Sequence, residues 1–235
     1  MKKLLLLSTL LSSQLFALIG FGGYGNFDLM EYPAGTDKSG SFSVVNSGFK
    51  NAQGGGFFMY LDLPKLPMIG KTALQFDYEA AGNIYDFTTK TPGGDVEGSF
   101  PWARISTYFT LRKTAMSVKI PFLAKAQLYY GGGFSSHSSL PLVTVDFFEE
   151  AFSTATDAAL QEAMGEAADD DQVSVLVDYM LENIDKKSGI HLTGGAQVKI
   201  LMANAFVNAR YTIAKDVIPD KLGFLSLWAG LAIGF

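Results

Sequence analysis

The chain has 235 residues, no cysteine, 13 % aromatic and 17 % charged residues, and a net charge of −5 at pH 7. Soluble domains usually contain about 25 % charged residues, and the mean hydropathy here is slightly positive at +0.19. A membrane-spanning helix needs roughly 18 or more consecutive apolar residues, and only the N-terminus approaches such a run. The composition therefore excludes a multi-span helical protein and a disordered chain, and it predicts no nucleic-acid partner. The lack of cysteine excludes a disulfide framework, a cysteine-ligated metal and a thiol nucleophile.

The N-terminal segment has the pattern of a bacterial secretory signal peptide. Lys2 and Lys3 supply a positive start, an apolar run follows at 4–11, and Ala17 is a small residue suited to cleavage. A buried N-terminal helix is the alternative interpretation. We expect a signal peptide at 1–17 and a mature, exported barrel domain at 18–235. A lipid anchor is excluded because no cysteine is present at the cleavage point.

The mature chain alternates between apolar and polar residues. Between Leu74 and Glu79 every even position is apolar and every odd position is polar, and similar alternation begins near Trp102, Ala205 and Leu225. Successive side chains of a strand point to opposite faces, so these segments predict strands with one apolar and one polar face. A soluble sandwich also alternates. Here the apolar faces carry no charge, and the segments run about ten residues, the length that crosses a bilayer.

Eight such segments predict an all-β membrane barrel, an eight-stranded antiparallel transmembrane β-barrel with short inner turns and longer outer loops. The predicted strands are 18–29, 55–63, 72–87, 102–111, 125–134, 189–200, 205–215 and 224–235. The connections at 30–54, 88–101 and 135–188 are long, and those at 64–71 and 201–204 are short. The segment 112–124 is predicted to be an irregular or water-exposed connection, because Lys113 and Lys119 would face lipid if the fourth strand continued.

The last strand, LSLWAGLAIGF, alternates up to a terminal Phe235. With the signal peptide and the even strand number, it resembles the small outer-membrane barrels of the OmpA and OmpW type. The resemblance implies a monomer in the bacterial outer membrane, in contact with its lipids. It also implies that the barrel-assembly machinery reads Phe235 as an assembly signal. The OmpW resemblance further implies a passive channel or binding protein for small, apolar molecules.

Charged residues of both signs fall on the polar faces and are predicted to form a cluster in the lumen. An eight-stranded barrel has room only for side chains or one small ligand. Buried charges must pair there, since an isolated one is costly. Two interpretations stay open, an internal salt-bridge plug and a narrow polar conduit. The predicted lumen cluster consists of Asp77, Glu79, Arg104, Arg112, Lys199 and Arg210.

A long third outer loop, at 136–188, contains an acidic insertion. Its residues 146–185 include twelve acids and no Lys or Arg, and their apolar residues recur at helical spacing. The insertion is predicted to be a helical cap, with a ligand-gating lid or a partner-binding surface as alternatives. Asp169, Asp170 and Asp171 are a possible cation-binding cluster, although the spacing lacks the glycine and alternating ligands of a calcium loop.

An outer-membrane lipid hydrolase or acyltransferase is the enzymatic alternative. His137 lies in the serine-rich stretch FSSHSS, and His191 is the second histidine of the chain. The competing interpretation is a serine-rich surface loop with a solvated histidine, since no third orienting residue can be assigned. No phosphate loop, zinc spacing or dinucleotide fingerprint occurs, so no cofactor is predicted. The sequence therefore favours a non-enzymatic barrel with a structural or surface-interaction role over a channel or an enzyme.

Overall fold

The computed structural model describes residues 19–63, 70–91, 94–120, 124–147 and 182–234. The predicted signal peptide at 1–17, the cluster Asp169–Asp171 and Phe235 lie outside the described residues. The described strands are β1 (Ile19–Tyr32), β2 (Gly35–Ser39), β3 (Phe42–Asn46), β4 (Phe49–Asp62), β5 (Thr72–Thr91), β6 (Gly94–Ile120), β7 (Ala124–Ser139), β8 (Asp185–Ile200), β9 (Ala203–Ile213) and β10 (Gly223–Gly234). No helix among the described residues is long and apolar enough to cross a membrane.

Eight of the described strands close into a ring. The hydrogen-bonded order β5-β4-β1-β10-β9-β8-β7-β6 ends on two strands that also pair with each other, β5 with β6. Neighbouring strands are antiparallel, and β1 pairs with β10 from Gly20 opposite Gly234 to Leu29 opposite Leu225. The hairpin β2–β3 adds to the outer part of β5 through Ser43–Asn46. The predicted eight-stranded antiparallel barrel is confirmed.

The period-2 alternation of the sequence separates the wall into an inner and an outer face. Along β9, Phe206, Asn208 and Arg210 are buried, whereas Val207 and Tyr211 are exposed. Large apolar side chains cover the outside of every ring strand, and soluble monomers do not expose apolar areas of this extent. Such a closed wall, with an apolar outside and a polar inside, is the architecture of outer-membrane barrels. The protein is therefore an outer-membrane β-barrel.

The fourth ring strand does not end where the alternation of the sequence indicates. β6 continues to Ile120 and stays paired with β7, so the prediction of an irregular connection is wrong for residues 112–120, whereas residues 115–120 are exposed, in agreement with the water-exposed alternative. A bulge between Thr114 and Met116 inserts one extra residue and reverses the parity of the faces. After it, Met116 and Val118 point outward, and Lys119 falls on the inner face opposite Lys125. Lys119 therefore does not face lipid, and its charge is no argument against a continuous strand.

The outer connections contain more strand than predicted. The segment 30–54 forms the β2–β3 hairpin and the beginning of β4, and residues 88–101 extend β5 and β6 into a hairpin paired up to Thr91 and Gly94. The third outer loop narrows to 140–184, because β7 reaches Ser139 and β8 begins at Asp185. Most of the predicted helical cap, residues 148–181, lies outside the described residues.

Candidate functional site

Five charged side chains from four strands meet inside the ring. Arg104 on β6 places Nη2 2.7 Å from Asp28 Oδ2 and 3.2 Å from Glu79 Oε1. Arg210 on β9 places Nη2 3.3 Å from Asp77 Oδ2 and Nη1 3.3 Å from Glu79 Oε2. These side chains are almost completely buried. Glu79 thus links the two arginines into one network, which we call the central ion-pair cluster.

Further hydrogen bonds complete the central ion-pair cluster. Tyr24 donates its hydroxyl to Glu79 Oε2 at 3.1 Å, and Gln75 Nε2 donates to Asp77 Oδ1 at 2.6 Å. Ser226 donates to Asp28 Oδ1. Buried ion pairs are tolerated when geometry and extra hydrogen bonds offset the lost hydration. The cluster meets this condition except at Arg104 Nη1 and Arg210 Nε, which make no hydrogen bond.

The structure unites four of the six predicted lumen residues and separates two. Asp77, Glu79, Arg104 and Arg210 meet, and Asp28 joins them although the sequence analysis did not select it. The alternation of the sequence could have identified Asp28 as inward-facing, because it lies on the same buried face of β1 as Tyr24 and Asn26.

The other two predicted lumen residues lie nearer the periplasmic end. The guanidinium carbon of Arg112 lies 4.8 Å from the centre of the Tyr129 ring and 5.2 Å from that of Tyr60. Lys199 donates from Nζ to the carbonyl oxygen of Gly234 at 3.4 Å. Neither residue takes part in the central ion-pair cluster.

Both histidines are inside the barrel, so a solvated surface position for His137 is wrong. His137 Nδ1 lies 2.9 Å from Ser106 Oγ and its Nε2 3.0 Å from Ser135 Oγ. His191 Nε2 lies 2.8 Å from Thr110 Oγ1. Each histidine retains 1 % exposure.

Hydroxyl–imidazole pairs of this kind can activate a nucleophile. Here, however, Tyr108 packs edge-on against both imidazoles, with ring centres 5.6 Å from His137 and 5.3 Å from His191. Phe224 covers His137 from another side at 5.9 Å. A substrate would have to displace these rings to reach either hydroxyl.

An apolar core closes the outer end of the lumen. The segment 140–147 leaves β7 and folds over the ring, burying Val143, Val145 and Phe147 against Trp102. We call this segment the outer lid.

Polar contacts anchor the outer lid to the barrel. The amide of Val143 donates to Tyr85 Oη at 2.9 Å, and Asn46 Nδ2 donates to the carbonyl of Val143 at 2.8 Å. The amide of Val145 donates to Asp37 Oδ2 at 2.8 Å, which ties the lid to the β2–β3 hairpin. Each bond satisfies a backbone group that burial would otherwise leave without a partner.

Aromatic side chains fill the periplasmic half of the lumen. Phe58 packs edge-on against Phe206 at 5.1 Å, and Tyr24 packs on Trp228 at 4.7 Å. The lumen of the described barrel therefore has three filled levels. These are the aromatic cluster at the periplasmic end, the central ion-pair cluster, and the apolar core under the outer lid.

The outer wall contains a shallow groove of about 890 Å³ between β4 and β8. The groove forms because the lipid-facing residues of this part of the wall are small; they include Gly25, Gly194, Ala209 and Ala229. The strand ladders beneath it are continuous, from β1 through β10 and β9 to β8. The groove is thus a depression of the wall and does not open into the lumen.

No group of three or more potential metal ligands occurs among the described residues. No protein-family model matches the sequence, and no curated protein sequence is significantly similar to it.

Solved barrel structures are similar at low identity. Ail, the attachment invasion locus protein of Yersinia pestis, in complex with the heparin analogue sucrose octasulfate, is 10 % identical with a TM-score of 0.35; 93 % of this chain and 97 % of that chain are covered. A second structure of Ail gives 9 % identity, a TM-score of 0.32 and the same coverage. The β domain of the Bordetella autotransporter BrkA gives 10 % identity, a TM-score of 0.24, and 92 % and 99 % coverage. Such values carry no inference about what this chain binds.

Proposed function

We propose that this protein is a closed outer-membrane barrel that acts through its extracellular surface and does not conduct solutes. The observation that carries the proposal is the filled lumen. The central ion-pair cluster occupies its middle, and the outer lid closes its outer end. An eight-stranded ring leaves little space beyond its own side chains. A salt-bridge plug is therefore favoured over a polar conduit.

The outer part of the barrel supports a surface role. β5 and β6 continue as a paired hairpin beyond Gly82, the last β5 residue that pairs with β4, as far as Thr91 and Gly94. A bilayer needs only about 9–11 residues of each strand, and β6 has 27 residues. The β2–β3 hairpin and the outer lid brace this projection from the other side. The protein therefore presents a built surface above the membrane, suited to contact with another macromolecule.

Conductance in planar bilayers tests the closed lumen. The full chain is expected to give no steady current above that of the lipid alone. A variant with both Arg104→Ser and Arg210→Ser should also give no steady current, because the aromatic cluster and the core under the outer lid still fill the two ends of the lumen. The matched control is Lys50→Ser, whose pair with Glu31 lies on the surface at 3.3 Å. Reproducible current through the unmodified chain would overturn the proposal and favour a passive channel.

Adhesion of cells that display the protein tests the surface role. The hairpin tip can be shortened by replacing residues 90–95 with an Asn-Gly turn, since Thr89 pairs with Val96 and that turn suits two-residue hairpins. Cells with the full chain are expected to bind immobilised protein or polysaccharide more strongly than cells with the shortened tip. Equal binding by both, at equal surface levels, would contradict a role for this hairpin.

A further inference from the structure

A small polar cavity opens at the periplasmic mouth, opposite the surface used in the proposed function. It has a volume of about 190 Å³ and lies between the end of β4 and the beginnings of β5 and β7. Its charged lining consists of Arg112, Lys71, Lys125 and one carboxylate, Asp62. Cationic donors thus outnumber the carboxylate around a space large enough for a small anionic group.

Arg112 has hydrogen-bonding groups without partners. The residue is 3 % exposed, and its Nε and Nη1 atoms are buried and make no hydrogen bond. The rings of Tyr60, Tyr129 and Phe206 hold the guanidinium in place from 4.8 to 5.7 Å. Among the described residues, no carboxylate lies within 4.0 Å of it, whereas Arg104 and Arg210 both have ion pairs and each leave one nitrogen, Nη1 and Nε respectively, without a hydrogen bond.

A buried donor without a partner destabilises the fold, and a charged donor does so more than a neutral one. Thr72 Oγ1, which can donate, is also buried without a partner in the same cavity, as is Gln127 Oε1, which only accepts. The aromatic faces attract the charge of Arg112, and the hydroxyl of Tyr129 interacts with it as well. The cavity therefore offers unused donors that a bound molecule with oxygen acceptors can satisfy.

The charge around the mouth favours an anion over water. The central ion-pair cluster has three acids, Asp28, Asp77 and Glu79, and two arginines, so Arg112, which acts electrostatically on Asp77, balances its charge and the lysines carry the excess at the mouth. Around the described part of the mouth, one acid, Asp62, and three further lysines act electrostatically on Lys125. These lysines are Lys71, Lys119 and Lys199. Such a concentration of one sign of charge raises the local concentration of the opposite ion.

We propose that this cavity binds a tetrahedral oxyanion of the phosphate class. Nε and Nη1 of Arg112 donate to two of its oxygens, and the ammonium groups of Lys71 and Lys125 complete the shell from the rim. Arginine suits this role because its planar fork matches two oxygens of one group. Phosphate reaches this mouth from two sources, the headgroup of an inner-leaflet phospholipid and a free phosphate or phosphorylated solute.

Calorimetric titration of the folded full chain with inorganic phosphate, in an uncharged detergent and at constant ionic strength with chloride, tests the site. Saturable binding is expected, and Arg112→Gln should weaken it at least tenfold. The matched control is Lys113→Gln, since Lys113 is the next residue on β6 and lies on the exposed outer face. Its binding should stay within twofold of the unmodified chain. Absence of saturable binding, or equal binding by Arg112→Gln, overturns the proposal.

Two further arms complete the experiment. If Arg112→Gln does not give the heat-modifiable band of a folded barrel, the double variant Lys71→Met/Lys125→Met replaces it and should show the same loss. Reconstitution into phosphatidylglycerol vesicles distinguishes the sources. A lipid headgroup in the site abolishes binding of added phosphate, whereas a site for free phosphate keeps its affinity. Failure of this proposal leaves the conductance result untouched, because the cavity lies below the central ion-pair cluster.

Discussion

Replacing Arg210 by methionine tests the central ion-pair cluster most directly. The change leaves Asp77 without its arginine and removes one of the two partners of Glu79, both at 3.3 Å. It also removes the guanidinium that lies 3.6 Å from the centre of the Tyr108 ring. Removing one partner of a buried ion pair costs about 3–5 kcal/mol, because the remaining charge stays buried. We expect Arg210→Met to lower the free energy of unfolding by about that amount.

The control is Lys50→Met on the surface. Its Nζ lies 3.3 Å from Glu31 Oε1, the same distance as in the Arg210 pairs, but the two side chains are 76 % and 60 % exposed. Exposed pairs contribute about 0–1 kcal/mol, so this variant should unfold almost as the unmodified chain does. The comparison separates the effect of burial from the effect of distance.

The measurement is reversible urea unfolding in phospholipid vesicles, followed by the fluorescence of Trp102 and Trp228. A lower midpoint at unchanged slope reports a change of stability. The double variant Arg210→Met/Asp77→Leu should recover part of the loss, since apolar replacement of a whole buried pair is often neutral. If Arg210→Met costs less than about 1 kcal/mol, or no more than Lys50→Met, the cluster does not carry the stability assigned to it.

Other predictions concern the bulge, the outer lid and the C-terminus. Deletion of Ala115, the extra residue of the bulge, should leave a regular β6–β7 ladder and a folded barrel. Deletion of Thr110 should instead move the residues that follow it to the opposite face of the strand. Heat-modifiable migration on a gel compares the two variants. Tyr85→Phe should leave the buried amide of Val143 without its acceptor, at a cost of about 1–3 kcal/mol, and should raise protease cleavage of the lid in intact cells. Unchanged cleavage would contradict the anchoring role. Deletion of Phe235 should lower surface levels measured by protease shaving; normal levels would refute its role as an assembly signal.

The barrel itself could be predicted from the sequence because its signal is local and periodic. Each of the eight predicted strands overlaps a ring strand, and residues such as Phe206 and Val207 take the faces that their positions predict. Alternation fails where the period is interrupted. The bulge after Thr114 adds one residue and reverses the inner and outer positions that follow it. A charged residue such as Lys119 therefore looks lipid-facing in the sequence although the strand is continuous.

The height of a side chain within the lumen depends on tertiary structure alone. Arg104 meets Asp28 across 76 positions of the chain because strand register brings them to one level. Arg112, four two-residue periods further along β6, lies among aromatic rings. The fold of the outer lid likewise depends on partners from three other strands.

The order of polar and apolar residues was sufficient to determine which side chains of each strand point outward and which point inward. It also predicted a membrane barrel. Both conclusions depend only on a two-residue period, which can be recognised without knowing the neighbouring strands. Register and stagger set which inward side chains share a level, and they arise only when the ring closes. The sequence therefore supplies the charged residues of the lumen, and only the closed structure determines how they pair. Asp28, Asp77 and Glu79 form ion pairs with two arginines. The third arginine, Arg112, lies at the periplasmic mouth with two nitrogen atoms that make no hydrogen bond.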